Sequence, residues 1–209
     1  MKPQTFSPSN SVRASSFPVL CATALALAAL AATVQAETAK ITHQFELPPF
    51  SYTELGYTQE QIDEAAGNGL AFTDRPGIAS GLQQLVGGTF LAVTDRGPNF
   101  TVTAGRVFPL PEFTPTIMLL KTVADRVQVK WSLPIVANDA GDFVTGIPNS
   151  ATEDSVPLAD ASGTPLPYNP NGMDVEDIHT LRDGGYIVVE EYSPSIVCLL
   201  YTSPSPRDS

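Results

Sequence analysis

The sequence predicts an all-β protein that forms part of a β-propeller, with one short helix near its amino terminus and a β-sandwich as the alternative. Glycine and proline are abundant, at 15 and 19 of 209 residues, and they separate short apolar runs. One run alternates polar and apolar residues with the period of two of a half-buried strand. Repeated hairpins separated by long loops are typical of propeller blades, of which this chain would hold only the first.

The single helix is predicted close to the amino end of the fold. Thr58 and Gln61 have the spacing of a capping box, in which each side chain bonds to the other residue's backbone N–H. Good helix formers occupy residues 59–66, and the run Gly67-Asn68-Gly69 ends the helix.

Strands are predicted on both sides of two tight turns, Gly87-Gly88 and Ala124-Asp125. A further strand follows the turn at 183–185, and a hairpin between Ile178 and Glu191 is expected there. The segment 134–172 is predicted to be a long loop, which is unusual unless it lines a site or is disordered. The predicted strands are 82–86, 90–94, 117–123, 126–133 and 186–190.

Both ends of the chain are predicted to lie outside the fold. Residues 1–36 have the pattern of a secretory signal peptide cleaved after Ala36, with a membrane anchor as the alternative. The run 198–208 matches the translation of a sequencing adapter, with a native Pro/Ser-rich tail as the alternative. We therefore expect a secreted or periplasmic protein in which 37–197 is the amino-terminal part of a longer domain. Such a part of a ring would be inactive alone, because its rim loops lack support.

The charge of the chain restricts its partners. It has 22 Asp and Glu against 11 Lys and Arg, a formal net charge of −11 at pH 7. Nucleic acid is excluded as a partner, and so is an anionic membrane once the signal peptide is removed, since both require a basic surface. An acidic surface suits a hard cation such as calcium, or serves solubility alone. The two cysteines, Cys21 and Cys198, fall in the two ends, so no disulfide is expected.

Several common catalytic motifs are missing from the sequence. It has no G-x-S-x-G nucleophile elbow, no Gly-rich loop ending in Lys-Ser/Thr and no His-Glu-x-x-His. The candidates are acidic residues at predicted strand ends, Asp174 and Glu176 before a hairpin and Glu190-Glu191 after it. Clustered carboxylates repel unless a cation or proton lies between them, which indicates a metal site or an acid/base pair. Solvated turn residues are the alternative.

A second candidate is the run Asp95-Arg96-Gly97-Pro98-Asn99, which follows a predicted buried strand. Arg96 would either pair with Asp95 inside a turn or bind a phosphate or carboxylate through two hydrogen bonds. We expect Asp95, Asp174, Glu176 and at least one of Glu190 and Glu191 to converge on one rim of the β-structure.

Several runs, taken together and in this order, resemble the phytase-like domain family, described as "esterase-like activity of phytase". Asp177 stands where that family usually has Gly, and Glu190 stands where it usually has Asp, which puts the geometry of the site in question. The family is propeller-like, exported and rich in Asp and Glu. The matching runs are Ser80-Gly81-Leu82, 94–99, 106–111, 145–149, 171–178 and 183–196.

The resemblance implies an exported hydrolase that acts on small anionic phosphoesters with a divalent cation, for which calcium is the candidate. A metal-activated water would attack the ester, and Arg96 would orient an anionic oxygen. The alternative is a non-catalytic extracytoplasmic propeller that binds a partner and holds structural calcium. The implied catalytic residues are Asp95, Arg96, Glu176 and Glu190, and the implied metal ligands are Asp174, Glu176, Glu190 and Glu191.

Overall fold

The structure is a computed structural model that describes residues 40–68, 70–150, 155–182 and 184–200. The predicted signal peptide and residues 201–209 lie outside the described residues. The described chain folds mainly as β-strands, with one α-helix, α1 (Gln59–Gly67). The strands are β1 (Gly81–Gln84), β2 (Thr89–Val93), β3 (Phe100–Val102), β4 (Gly105–Val107), β5 (Thr116–Val123), β6 (Arg126–Pro134), β7 (Pro157–Leu158), β8 (Val175–Thr180), β9 (Tyr186–Glu190) and β10 (Ser195–Leu199).

The described strands form three sheets. The largest is an antiparallel sheet in the order β1-β2-β5-β6, and the second is an antiparallel sheet in the order β10-β9-β8. The third contains the hairpin β3-β4 with β7 added in parallel to β4. The prediction of a mostly β fold is confirmed at this level, while these sheets show neither a closed propeller ring nor a sandwich.

The predicted helix is confirmed with its cap. The Thr58 side chain accepts from the Gln61 backbone N–H, and the Gln61 side chain accepts from the Thr58 backbone N–H at 2.9 Å. Ile62 and Ala65 form the buried face of the helix, which packs with Tyr52 in a second, smaller core. Its capping box therefore fixes the start of the helix, and its apolar face attaches it to the protein.

The predicted hairpins are confirmed, with small shifts at their ends. Gly87 and Gly88 both have positive φ, 66° and 70°, but the predicted two-residue turn is wrong: Gln84 pairs with Phe90, and the loop is the three-residue 3-10 turn Val86–Gly88. At the second turn Ala124 takes φ 56°, an uncommon value for a residue with a Cβ atom. The β8-β9 hairpin joins Thr180 to Tyr186, as expected from the sequence.

Four strands, β3, β4, β7 and β10, were not predicted. The hairpin β3-β4 has no Gly or Asn pair at its turn, so its sequence signal is weak. The two residues of β7 interrupt the segment predicted to be a loop. β10 runs through the boundary predicted at Val197, because Cys198 and Leu199 continue to pair with Ile187 and Tyr186.

The main core lies where the two antiparallel sheets pack together, with β1 and β2 against β8. Its buried side chains come from both sheets and from the loop after β6, and that loop thereby becomes part of the fold. No helix among the described residues is long and apolar enough to span a membrane. The core residues are Leu91, Val93, Ile117, Ile135, Val144, Val175, Ile178 and Val188.

The contact between β1 and β8 depends on a glycine. A Cβ atom at Gly81 would lie 2.5 Å from the Asp177 Cα atom, and Cβ atoms in proteins essentially never come this close to another heavy atom. We expect Gly81→Ala to lower the free energy of unfolding by about 1 to 3 kcal/mol, because the sheets must move apart. Urea denaturation measures this change. Gly77→Ala is the matched control, since nothing lies within 4 Å of a Cβ atom at that position. Equal stability of the two variants would contradict this packing.

Candidate functional site

Three carboxylates converge at one edge of the second sheet. One oxygen atom from each of Asp174, Glu176 and Glu191 lies within 4.8 Å of the other two. Asp174 immediately precedes β8, and Glu191 immediately follows β9. The Glu191 backbone N–H donates to the Asp174 carbonyl at 2.9 Å, so the hairpin itself brings these two residues together. We call these three residues the acidic cluster.

A β-bulge at the start of β8 sets the direction of Glu176. Val175 pairs with Glu190 and Asp177 pairs with Val189, which leaves Glu176 as the extra residue. Val175 is buried, while Glu176 and Asp177 are both exposed. Bulges redirect side chains at sheet edges, and this one turns Glu176 out beside Asp174. The Ser80 hydroxyl donates to Glu176 Oε2 at 3.1 Å and orients it.

Arg96 connects the first sheet to the acidic cluster. Its backbone N–H donates to Asp174 Oδ1 at 3.2 Å, and its Nη2 donates to Glu191 Oε2 at 3.0 Å. The same guanidinium forms an ion pair with Asp174 Oδ2 and stacks over the Tyr192 ring, 5.0 Å from the ring centre. The Asp174 side chain has 0% exposure, against 12% for Arg96 and 61% for Glu191. Arg96 therefore holds both a buried and an exposed carboxylate.

Close backbone packing fixes the loops around Arg96. A Cβ atom at Gly146 would collide with the Arg96 carbonyl, so only glycine allows this approach. The Tyr192 hydroxyl donates to the Gly146 carbonyl at 2.7 Å. Met173 N–H donates to the Thr145 carbonyl at 2.9 Å, which ties the same loop to the residue before Asp174. The site is thus assembled by three loops that support one another.

Burial dominates the electrostatics of Asp174. Loss of water raises the pKa of this carboxyl to about 7, the Arg96 charge opposes the rise, and the negative charge of Glu176 adds to it. Its Oδ2 atom is buried and has no hydrogen-bond partner among the described residues, although it lies in ion-pair contact with Arg96. The charge on this oxygen is therefore balanced by Arg96.

Two of the predicted site residues lie outside the acidic cluster. The Glu190 side chain is buried, on the same face of β9 as Val188, and both of its oxygens accept from the Ser193 backbone N–H. Asp95 Oδ1 accepts from the Gly97 N–H at 2.9 Å, and Asp95 lines a separate cavity. Of the predicted set, the structure therefore brings together Asp174, Glu176, Glu191 and Arg96.

Three contacts at the site were not predicted from the sequence. These are the bond from Ser80 to Glu176, the stacking of Arg96 on Tyr192, and the pairing of Arg96 with Asp174 instead of Asp95. The alternation in β9 could have shown that Glu190 faces inward with Val188, two residues before it. The other contacts join residues far apart in the chain, and no local pattern encodes them.

Known proteins do not identify the chain. No family model, no curated protein and no solved structure matches it. The resemblance to the phytase-like domain family therefore remains an interpretation of the motifs.

The residues of the acidic cluster fit a hard divalent cation. All three donors are carboxylate oxygens, which Ca²⁺ and Mg²⁺ prefer, and the cluster has no His or Cys ligand. When ionised, the three carboxylates and Arg96 together leave a charge of about −2, which one divalent cation neutralises. The cluster can thus hold a metal ion.

The raised pKa of Asp174 predicts that stability falls with pH in chelator. The unfolded chain releases this proton near its ordinary pKa of 3.8, and the folded protein releases it near 7. Between these values the folded protein holds the extra proton, so raising the pH favours unfolding. We expect the free energy of unfolding to fall by about 2 to 4 kcal/mol from pH 4 to pH 8.

Urea denaturation with EDTA at several pH values measures this dependence. The asparagine side chain of Asp174→Asn cannot ionise. This variant therefore shows the pH dependence from every other titrating group, and its free energy of unfolding should fall less with pH than that of the wild type. If the wild type instead gains stability with pH relative to Asp174→Asn, the Arg96 charge lowers the pKa of Asp174 by more than burial raises it.

Proposed function

We propose that this protein is an exported, phytase-like hydrolase of phosphoesters that uses a divalent cation bound at the acidic cluster. The observation that carries the proposal is the convergence of Asp174, Glu176 and Glu191 around the Arg96 guanidinium. The motif resemblance to the phytase-like domain family supports the substrate class, and the signal-peptide pattern supports export. Calcium is the first candidate cation, because its ligand shell tolerates irregular oxygen geometry.

The residues of the cluster would have distinct roles. Asp174 is fully buried, so it is the fixed ligand, while the more exposed Glu176 and Glu191 complete the shell from the solvent side. A divalent cation held there supplies Lewis-acid polarisation of a phosphoryl oxygen and activates water. The metal-binding residues are therefore also those that would position the reacting groups.

Arg96 is suited to recognise an anionic ester oxygen. Its guanidinium already contacts two carboxylates, Asp174 and Glu191, so it has the geometry to bind a further anionic oxygen. Stacking on Tyr192 keeps the guanidinium plane in place. Glu176 is exposed and is oriented by the Ser80 hydroxyl, so it can accept a proton from a nucleophilic water.

The alternative function is a non-catalytic extracytoplasmic propeller in which the same cation is structural. The observation that favours it is the depth of Asp174, whose 0% exposure places one ligand out of reach of any substrate. The order of the two antiparallel sheets suits neighbouring propeller blades, because each sheet is a meander of sequential strands apart from the β3-β4 insertion. Both functions require the cation, and they differ only in turnover.

We expect a divalent cation to stabilise the protein through the acidic cluster. Calcium at about 100 times its Kd adds about 2.7 kcal/mol, which is a rise of roughly 5 to 10 °C in Tm for a chain of this size. In thermal melts, Glu176→Gln and Glu191→Gln should each show a much smaller rise in Tm with calcium, because each substitution removes one charged ligand. Glu64→Gln is the matched control, since Glu64 is exposed on α1. An undiminished calcium effect in both cluster variants would place the metal elsewhere.

Turnover separates the two proposed functions. The assay uses the full native chain that contains these residues. Hydrolysis of p-nitrophenyl phosphate should require added calcium and stop with EDTA. Arg96→Lys should lower kcat/KM by about 10- to 100-fold, since lysine cannot form the planar two-bond contact. Calcium-dependent melting without any turnover would instead favour the structural propeller.

A further inference from the structure

A cavity lies beside the loop that carries Arg96. It has a volume of about 290 Å³, which suits a ligand the size of an amino acid or a monosaccharide. Asp95, the neighbour of Arg96, lines this cavity, while Arg96 itself faces the acidic cluster. Phe72, Pro98 and Phe100 provide its apolar walls. The cavity is separate in composition from the acidic cluster, since the two share no residue.

Tyr52 offers this cavity a hydroxyl group. The residue is only 2% exposed, yet it lines the cavity, and its ring stacks on Phe72 with centroids 5.5 Å apart. Within the described ranges, the Tyr52 hydroxyl makes no hydrogen bond, whereas its backbone N–H donates to Asp74. The hydroxyl is not enclosed by protein, so it can exchange a hydrogen bond with a ligand in the cavity. Burial, together with the charge of Asp95, raises the pKa of Tyr52 far above its usual value and keeps the hydroxyl protonated.

Opposite charges line the same cavity without pairing with each other. Asp95 and Arg75 both contribute to the walls, and no ion pair joins them in the described part of the chain. Asp95 uses Oδ1 to accept from Gly97, which leaves Oδ2 available. Arg75 is exposed, and its guanidinium makes no hydrogen bond to a described residue. The cavity thus presents an acceptor anion, a donor cation and a neutral hydroxyl.

We propose that this cavity binds a small zwitterion of amino-acid size, with its ammonium group on Asp95 and Tyr52 and its carboxylate on Arg75. Each end of such a ligand meets the opposite charge, and its net charge of zero avoids repulsion by the acidic chain. The aromatic walls add cation–π attraction for the ammonium group. A neutral sugar could hydrogen-bond to the same groups, but it would leave the two charges uncompensated.

Isothermal titration of the purified chain with L-alanine tests the proposal. Propionate lacks the ammonium group, ethylamine lacks the carboxylate and glucose is a neutral polyol, so these three are the comparison ligands. We expect L-alanine to bind at least tenfold more tightly than each of them, because both charged ends contribute hydrogen bonds. The proposal would be overturned by glucose binding as tightly as L-alanine or more tightly. It would also be overturned if L-alanine did not bind at about 10 mM, roughly the weakest affinity worth assigning to a site.

Two variants locate the binding to this cavity. Arg75→Gln alters only an exposed side chain and should weaken L-alanine binding by about tenfold or more. Tyr52→Phe keeps the stacked ring and should weaken binding by about tenfold or more, the value of one hydrogen bond to a charged group. Lys130→Gln removes one exposed positive charge elsewhere and should leave binding unchanged. Full affinity in both cavity variants would show that L-alanine binds at another place. Circular dichroism checks that each variant is folded.

Discussion

The buried carboxylate of Asp174 is the constraint on which the rest of the site depends. A carboxylate with 0% exposure loses its hydration, at a cost of several kcal/mol, and must find compensation inside the protein. Arg96 provides it through both its backbone N–H and its guanidinium. To reach Asp174, the Arg96 backbone passes so close to Gly146 that no other residue fits there. The geometry of three loops therefore follows from neutralising one charge.

The loop after β2 gives two neighbouring residues opposite environments. Arg96 faces the acidic cluster, whereas Asp95 lines the cavity that contains Tyr52. Gly97 allows this arrangement, because it takes φ 87° and packs directly on the Phe113 ring, where a Cβ atom would clash. One short run of sequence thereby supplies a charge to each of two sites. Changes at Asp95 and Arg96 should consequently have separable effects, even though the residues are adjacent.

The sequence predicted best what local chemistry controls. The helix cap at Thr58 and the two-residue turn at Ala124-Asp125 need only a few neighbouring residues, and both are present. The meeting of Asp174 with Glu191 followed from the expected β8-β9 hairpin. The bulge that exposes Glu176 could not be predicted, because it depends on keeping Val175 and Ile178 both in the core. The partner of Arg96 was equally inaccessible, since it is 78 residues away.

The acidic cluster is poorly suited to stabilising the fold by itself. A buried ion pair is often no more stabilising than apolar side chains of the same volume, and here a further carboxylate raises the cost. At neutral pH Asp174 lies near its raised pKa of about 7, so the metal-free protein holds this group between two protonation states. A divalent cation removes that conflict by favouring the ionised form of all three carboxylates at once. A carboxyl whose pKa is raised by burial and by a neighbouring carboxylate is typical of functional sites.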